Sequence, residues 1–332
     1  MKELLYKMFE HKNLSREEAR DVMFNIADGR YNDAQLSAFM TVFLMRSITT
    51  GELTGFRDAI LERRLPVDFD NVKAIDIVGT GGDGKNTFNI STATCFVVAG
   101  AGEKVIKHGN YGASSVSGAS NVLEHHGVKF TADTDRLRRS LEESGVCYLH
   151  APFFSPALKS VAAVRKSLAV RTFFNMLGPL VNPVRPRHQL LGVYNLKLMR
   201  LYSYIAQNEG IACTIVHSLD GYDEISLTSP FKVSDSRGER LFTPGDLGFD
   251  THRQEEIYGG ETVAEAAGIF DRVLAGTSNG AQRDCVIANA AFALTTLNPD
   301  MSLDEARRRA GESIDSGRAM EAFRKFLTIN SI

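Results

Sequence analysis

Apolar residues recur at helical spacing from the first residue to about position 66. Ala34, Leu36, Phe39, Met40, Phe43 and Leu44 fall on one such pattern, and Leu53, Phe56, Ile60 and Leu61 on the next. Ser15-Arg16-Glu17-Glu18 and Thr49-Thr50-Gly51-Glu52 each set a hydroxyl three residues before a glutamate. That spacing lets side chain and backbone satisfy each other at a helix start. The pattern predicts a small all-helical domain over 1–68. Its apolar faces need a cover, either one another or a second subunit.

The period changes after Pro66. Short apolar runs at 74–78, 104–107, 146–149 and 212–217 alternate with helical ones near 92–101, 116–125, 135–143, 156–166 and 198–207. Alternation of this kind predicts an α/β domain with a mostly parallel central sheet, over 69–332. Residues 231–233 and 239–242 flank Ser236-Arg237-Gly238 and predict a hairpin. The stretch beyond is mainly helical, with 287–297 and 303–314 the clearest segments. Pro179, Pro183 and Pro186 mark a connection between domains. Helices near 160–185 are candidates to complete the small domain.

Charge adds an exclusion. Basic and acidic residues nearly cancel, with a formal net charge of −2, so general attraction to nucleic acid or membrane has no support. Cys95, Cys147, Cys213 and Cys285 form no C-x-x-C pair, which argues against zinc ribbons and thioredoxin-like chemistry. The first three sit in apolar runs and read as buried, reduced thiols. The N-terminus lacks an apolar run of signal-peptide length, and no run is long enough to span a bilayer. A cytoplasmic location is the expectation.

The chemistry concentrates at strand ends. Gly79-Thr80-Gly81-Gly82-Asp83-Gly84 follows the run at 74–78. Glycines bare the backbone N–H groups, and a helix after such a loop favours an anion. The loop matches neither the P-loop nor the dinucleotide motif. Thr87, Asn89, Ser91 and Thr92 add donors at the expected helix start. Lys107-His108-Gly109-Asn110 places a cation, an imidazole and an amide on a turn after the next strand, running into a small-residue loop. Asp223-Glu224 offers adjacent carboxylates suited to Mg²⁺, a hard cation that takes one or two carboxylates beside substrate phosphates. As a lone pair in a loop, these acids are as readily explained by solvation. Arg165 and Arg171 read equally as surface charges or as carboxylate-binding groups.

In this order, these motifs closely resemble the anthranilate phosphoribosyltransferases, enzymes of tryptophan biosynthesis. The likeness covers nearly the whole chain. It includes Asn89-Ile90-Ser91-Thr92, the Arg171-Thr172-x-x-Asn175-x-Leu177-Gly178-Pro179-Leu180-x-Asn182-Pro183 run and Asp223-Glu224. The resemblance implies a Mg²⁺-dependent pentosyltransferase that moves the phosphoribosyl group of 5-phosphoribosyl 1-pyrophosphate onto the amine of anthranilate. No acid or base residue is assigned. Donor binding would fall to Gly79, Gly82, Asp83, Thr87, Asn89, Ile90, Ser91 and Thr92. The second loop would add Lys107, His108, Gly109, Asn110, Tyr111, Gly112, Ala113, Ser114 and Ser115, with Ala119 beyond it. Ser91, Asp223 and Glu224 would serve magnesium. Asn110 and Arg165, with Gly79 nearby, would meet anthranilate. A homodimer through the helical domain is implied as well. The sequence departs from the commonest pattern at Tyr111, Val116 and Ala119, where many relatives carry arginine, lysine and serine. Two other readings stay open: a pyrimidine nucleoside phosphorylase-like enzyme of the same fold group, and a non-catalytic paralogue that binds nucleic acid.

Overall fold

The computed structural model describes residues 1–112 and 115–331. The chain forms two units, one from Met1–Val67 with Ala151–Arg185, the other from Asp68–His150 with Pro186–Ile332.

The first unit is helical. Its helices are Lys2–Phe9, Arg16–Ala27, Asp33–Met45 and Thr50–Glu62, joined later by Ala162–Leu168. Both capping boxes form: Ser15 accepts the Glu18 N–H at 3.1 Å while Glu18 accepts the Ser15 N–H at 2.7 Å, and Thr49 and Glu52 do the same. Residues 151–185 fold into the same unit, and with them the helices near 160–185 that are candidates to complete it; the alternating pattern alone places 156–166 with the α/β domain. Aromatic packing supplies the reason. Phe173 stacks on Phe56 at 4.7 Å between ring centres and meets Phe39 edge-on at 5.8 Å. Without the returning segment the helical core would lack that ring. Leu36, Phe39, Met40 and Phe43 are buried, whereas Ala34 and Leu44 face solvent.

The second unit is built on seven strands: β1 Ile75–Gly79, β2 Val105–Gly109, β3 Val146–His150, β4 His188–Gly192, β5 Ala212–Ser218, β6 Phe231–Asp235 and β7 Gly238–Phe242. Their order in the sheet is β3-β2-β1-β4-β5-β6-β7. The first five run parallel, and the hairpin of β6 and β7 adds an antiparallel edge. Strand β4 was not read from the sequence. Like β1, β2 and β3 it has five residues, but His188 and Gln189 open it, so only Leu190 and Leu191 carry an apolar signal. Helices Ile90–Gly100 and Gly280–Leu297 pack side by side and touch the parallel strands. Nearly all of the second helix is buried, which accounts for its lack of a polar face.

The order of strands fixes where a ligand can sit. From β1 the chain lays β2 and β3 to one side, then crosses to place β4 on the other. In open parallel sheets such a reversal opens a crevice beyond the carboxyl ends of the strands. Here it lies at the ends of β1 and β4, where Gly79 and Gly192 are register partners.

Candidate active site

Two glycines make room for a carboxylate at that junction. A Cβ on Gly192 would lie 1.6 Å from the Asp223 carbonyl oxygen, and one on Gly79 would lie 2.5 Å from Asp223 Oδ2. The segment after β5 therefore crosses directly over the ends of β1 and β4. The Gly81 N–H donates to Asp223 Oδ2 at 2.6 Å. Glu224 continues the line: Ser91 N–H donates to its Oε1 at 3.1 Å, and Thr87 Oγ1 to its Oε2 at 3.3 Å. Ser91 stands in the first turn of helix Ile90–Gly100, where the helix dipole favours negative charge.

The glycine loop holds its shape through left-handed backbone at Gly81, Gly82 and Gly84. Within it Asp83 Oδ1 accepts the Lys85 N–H at 2.9 Å. The Thr80 hydroxyl beside it is buried and finds no hydrogen-bond partner among the described residues. At least one loop donor, the Gly81 N–H, is thus spent on a carboxylate of the chain.

Burial and crowding disturb these acids. Burial, followed by repulsion from Asp83, pushes the Asp223 carboxyl up to about 7. Burial and then Asp223 and Asp83 drive Glu224 well above the usual range, and burial raises Asp83. Lys85 opposes this at Asp83, and Lys107 at Glu224. Lys107 is the deeper of the two. It is buried, bonds the Ile77 carbonyl, and reaches Ser91 Oγ at 3.4 Å. Among the described residues, no three His, Cys, Asp or Glu side chains are arranged to hold a metal ion by themselves. The donor set is instead of the kind magnesium takes in part, completing its shell with water and substrate oxygens.

These shifts carry a stability prediction. A carboxyl whose folded pKa lies above its unfolded value favours folding at low pH and loses that contribution as pH rises toward the folded value. Metal-free Asp223→Asn is therefore expected to melt about 3 °C or more above the wild type at pH 8. The gap should build between pH 4 and 7 and close below pH 4. Thermal melts in chelator across that range check it.

Lys107 and His108 lie within β2, not on the turn after it, because the strand continues to Gly109. Successive residues of a strand face opposite sides. Both side chains are buried, and the His108 N–H meets Asp76 Oδ1 at 3.4 Å. Asn110 follows the strand, exposed, its Oδ1 accepting the Tyr111 N–H at 2.8 Å. Ile90 and Thr92 are buried, so their backbones are what they can offer a ligand at the helix start. Asn89 spends its amide on Ser117: its Nδ2 donates to the Ser117 carbonyl at 3.1 Å, and Ser117 Oγ donates back to its Oδ1 at 3.2 Å. Gly112 and Ser115 belong to the second loop, and Ala119 opens the helix after it. Ala113 and Ser114 lie outside the described residues. Arg165 belongs to the helical unit, where Nη2 donates to Asn175 Oδ1 at 3.4 Å and the guanidinium stands 5.5 Å from the Phe174 ring centre. The pattern of the sequence does not reveal Gly192, which ends β4.

Comparison with known proteins agrees with this architecture. Residues 2–64 match the helical bundle domain of a glycosyl transferase family, and residues 71–320 match its a/b domain. Anthranilate phosphoribosyltransferase of Bacteroides fragilis (strain YCH46) is 61% identical over 330 residues, covering 99% of this chain and 100% of the relative. The crystal structure of anthranilate phosphoribosyltransferase from Thermus thermophilus superposes with a TM-score of 0.92 at 31% identity, over 99% of each chain. That of Saccharomyces cerevisiae in complex with PRPP and Mg gives 0.91 at 28% identity, over 98% of this chain and 96% of the other. The chain belongs to this glycosyl transferase family and, within it, to the anthranilate phosphoribosyltransferases.

Among the described residues no helix is long and apolar enough to cross a membrane. The four cysteines are free thiols; Cys95, Cys147 and Cys285 are buried and Cys213 is partly so.

Proposed function

We propose that this protein transfers the phosphoribosyl group of 5-phosphoribosyl 1-pyrophosphate to the amine of anthranilate, releasing pyrophosphate, in L-tryptophan biosynthesis. The observation that carries the reading is the paired glycines at the ends of β1 and β4, which let Asp223 and Glu224 cross the strand ends beside a glycine loop. The yeast relative's donor and magnesium, and the names of the full-length relatives, agree with it. The α/β unit is the donor-binding part.

In the reaction the amine lone pair forms a bond to C1 of the ribose. The C1–oxygen bond breaks with its electrons leaving on pyrophosphate, and the amine proton passes to solvent. An aromatic amine is neutral near pH 7, so attack needs no strong base. The demanding step is departure of a highly charged group. Loop amides near Gly79 and Gly82 meet that charge, and Lys107 adds a fixed positive one. Ser91, Asp223 and Glu224 would hold magnesium, with Asp83 turned toward the same acids. When bound, that ion supplies positive charge to the leaving pyrophosphate. Asn110 and Arg165 orient the acceptor, which supplies proximity.

Arg165→Ala is expected to raise the anthranilate KM about tenfold or more, the loss of a charge-assisted carboxylate contact, while the donor KM stays near wild type. Steady-state kinetics with each substrate varied in turn measure it, and an unchanged acceptor KM would remove Arg165 from the site.

We further infer a homodimer through the helical unit, which leaves Tyr6, Phe9, Leu44 and Met45 exposed. The assay for the reaction follows the loss of anthranilate fluorescence with donor and magnesium. Release of base from a pyrimidine nucleoside by inorganic phosphate, with no anthranilate consumed, would instead indicate the phosphorylase reading.

A further inference from the structure

Residues 219–230, which carry Asp223 and Glu224, form neither helix nor strand. Ile225 and Ser226 within them are nevertheless fully buried. Backbone N–H and C=O groups withdrawn from water need partners, and here side chains supply them. The Ser218 hydroxyl, at the end of β5, donates to the Glu224 carbonyl at 2.7 Å and accepts the Ser226 N–H at 3.1 Å. Cys285 Sγ donates to the Ser226 carbonyl at 2.8 Å. Both backbone groups of Ile225 go to one residue. Asn289 Oδ1 accepts its N–H at 3.2 Å, and Asn289 Nδ2 donates to its carbonyl at 2.9 Å.

Asn289 is itself buried, in helix Gly280–Leu297. Nδ2 also donates to the Cys285 carbonyl one turn back, at 2.8 Å. A primary amide has two hydrogens to give, so both are committed and the side chain has one orientation. Tied to its own helix and bonded to both polar groups of Ile225, the amide fixes the rotation of that residue as well as its distance. Ile225 directly follows Glu224 and stands two residues from Asp223. The side chains of those acids meanwhile accept the Ser91 and Gly81 N–H groups. The acid segment is thus set from the helix through its backbone and from the loops through its side chains.

We propose that Asn289 is a positioning residue, locking the Ile225 backbone so that Asp223 and Glu224 stand in place for magnesium and the phosphoribosyl donor. The proposal rests on the functional reading that these acids serve the ion. Acids fixed beforehand spare the ordering cost that binding would otherwise incur. Asn289→Leu keeps the side-chain size and removes all three bonds. Asn289→Ser is milder, since a helical serine still bonds the carbonyl one turn back and leaves room for water at Ile225. Thr296→Val, on the same helix, is the control. Thr296 Oγ1 donates to Thr214 Oγ1, on β5, at 2.6 Å, so this change removes a buried bond away from the acid segment.

Three measurements on the full chain decide it: amide hydrogen exchange without metal or substrates, thermal melts, and steady-state kinetics with magnesium, 5-phosphoribosyl 1-pyrophosphate and anthranilate each varied. Asn289→Leu should speed exchange at Gly81 and Ser91 about tenfold, with helix Thr134–Ser144 unchanged. It should raise the donor KM and the magnesium concentration for half-maximal rate about tenfold each, with the acceptor KM within about twofold of wild type. Asn289→Ser should move the same quantities less far in the same direction, and carries the test if the leucine variant does not fold. Thr296→Val should lower the melting temperature and leave the other quantities at wild type. A lower melting temperature in the Asn289 variants, with exchange at Gly81 and Ser91 and the donor KM unchanged, would reduce Asn289 to a structural amide and overturn the proposal. The same kinetic pattern in Thr296→Val, or an equal rise in both substrates' KM, would also overturn it. If the wild type turns over no anthranilate, the functional reading fails and takes the role toward the donor with it. The exchange data would then still show separately whether Asn289 sets the acids.

Discussion

Asp223→Asn combined with Glu224→Gln is expected to lower turnover about a thousandfold in saturating magnesium while leaving the fold intact. Asp223 is buried and Glu224 half-buried at the ends of β1 and β4, and they hold each other, with Asp83, in a state of raised proton affinity. Evolution retains such an arrangement where charge serves function at a cost in stability. The amides retain an oxygen acceptor for the N–H groups of Gly81 and Ser91, so local geometry has no reason to collapse. What disappears is negative charge for a divalent ion. The double variant should therefore lose activity while melting at or above the wild-type temperature. Circular dichroism and the fluorescence assay check both halves. Retained activity would remove the metal assignment, and an unfolded variant would show that the acids are structural.

Gly192→Ala should be the most damaging single-methyl change in the site. Its Cβ would fall 1.6 Å from the Asp223 carbonyl oxygen and 2.6 Å from the carbon behind it. No rotamer relieves that contact, since both partners are backbone. Either β4 or the segment carrying Asp223 must shift by an ångström or more. Misplacement of that size in a reacting constellation costs on the order of a hundredfold in rate, and overpacking adds about 1–3 kcal/mol of instability. Gly51→Ala is the control. It stands in helix Thr50–Glu62 with nothing within 4 Å of the added methyl, and should be neutral or slightly stabilising. Full activity in Gly192→Ala would mean that the crossing over the strand ends does not matter to catalysis.

The sequence made the chemistry more legible than the geometry that supports it. Glycine loop, lysine turn and acid pair all stood out because rare residue combinations followed short apolar runs. Their convergence did not. Asp223 and Gly79 lie far apart in the chain, and only the reversal of strand order brings them together. That reversal depends on β4, which has only two strongly apolar residues, Leu190 and Leu191, and comes just after a proline-rich stretch. Lys107 offered a similar lesson. A lysine after a short apolar run reads as a loop cation, but in the sheet it lies inside β2, buried against the Ile77 carbonyl. Period alone could not place it, since the alternation continues two residues further than the apolar run. In the helical unit, Phe173 joins Phe39 and Phe56 from a segment well over a hundred residues away in the chain. Helical spacing reveals which face of a helix is apolar but not which distant ring will cover it.

The central claim is that the bared amides of the glycine loop and the acids crossing over it form one site for a sugar diphosphate. A crystal structure of the protein with 5-phosphoribosyl 1-pyrophosphate and magnesium tests it most directly. The account predicts phosphate density against residues 79–83, with the ion between that density and Asp223 and Glu224. Donor density elsewhere on the chain, with those acids left facing water, would contradict it.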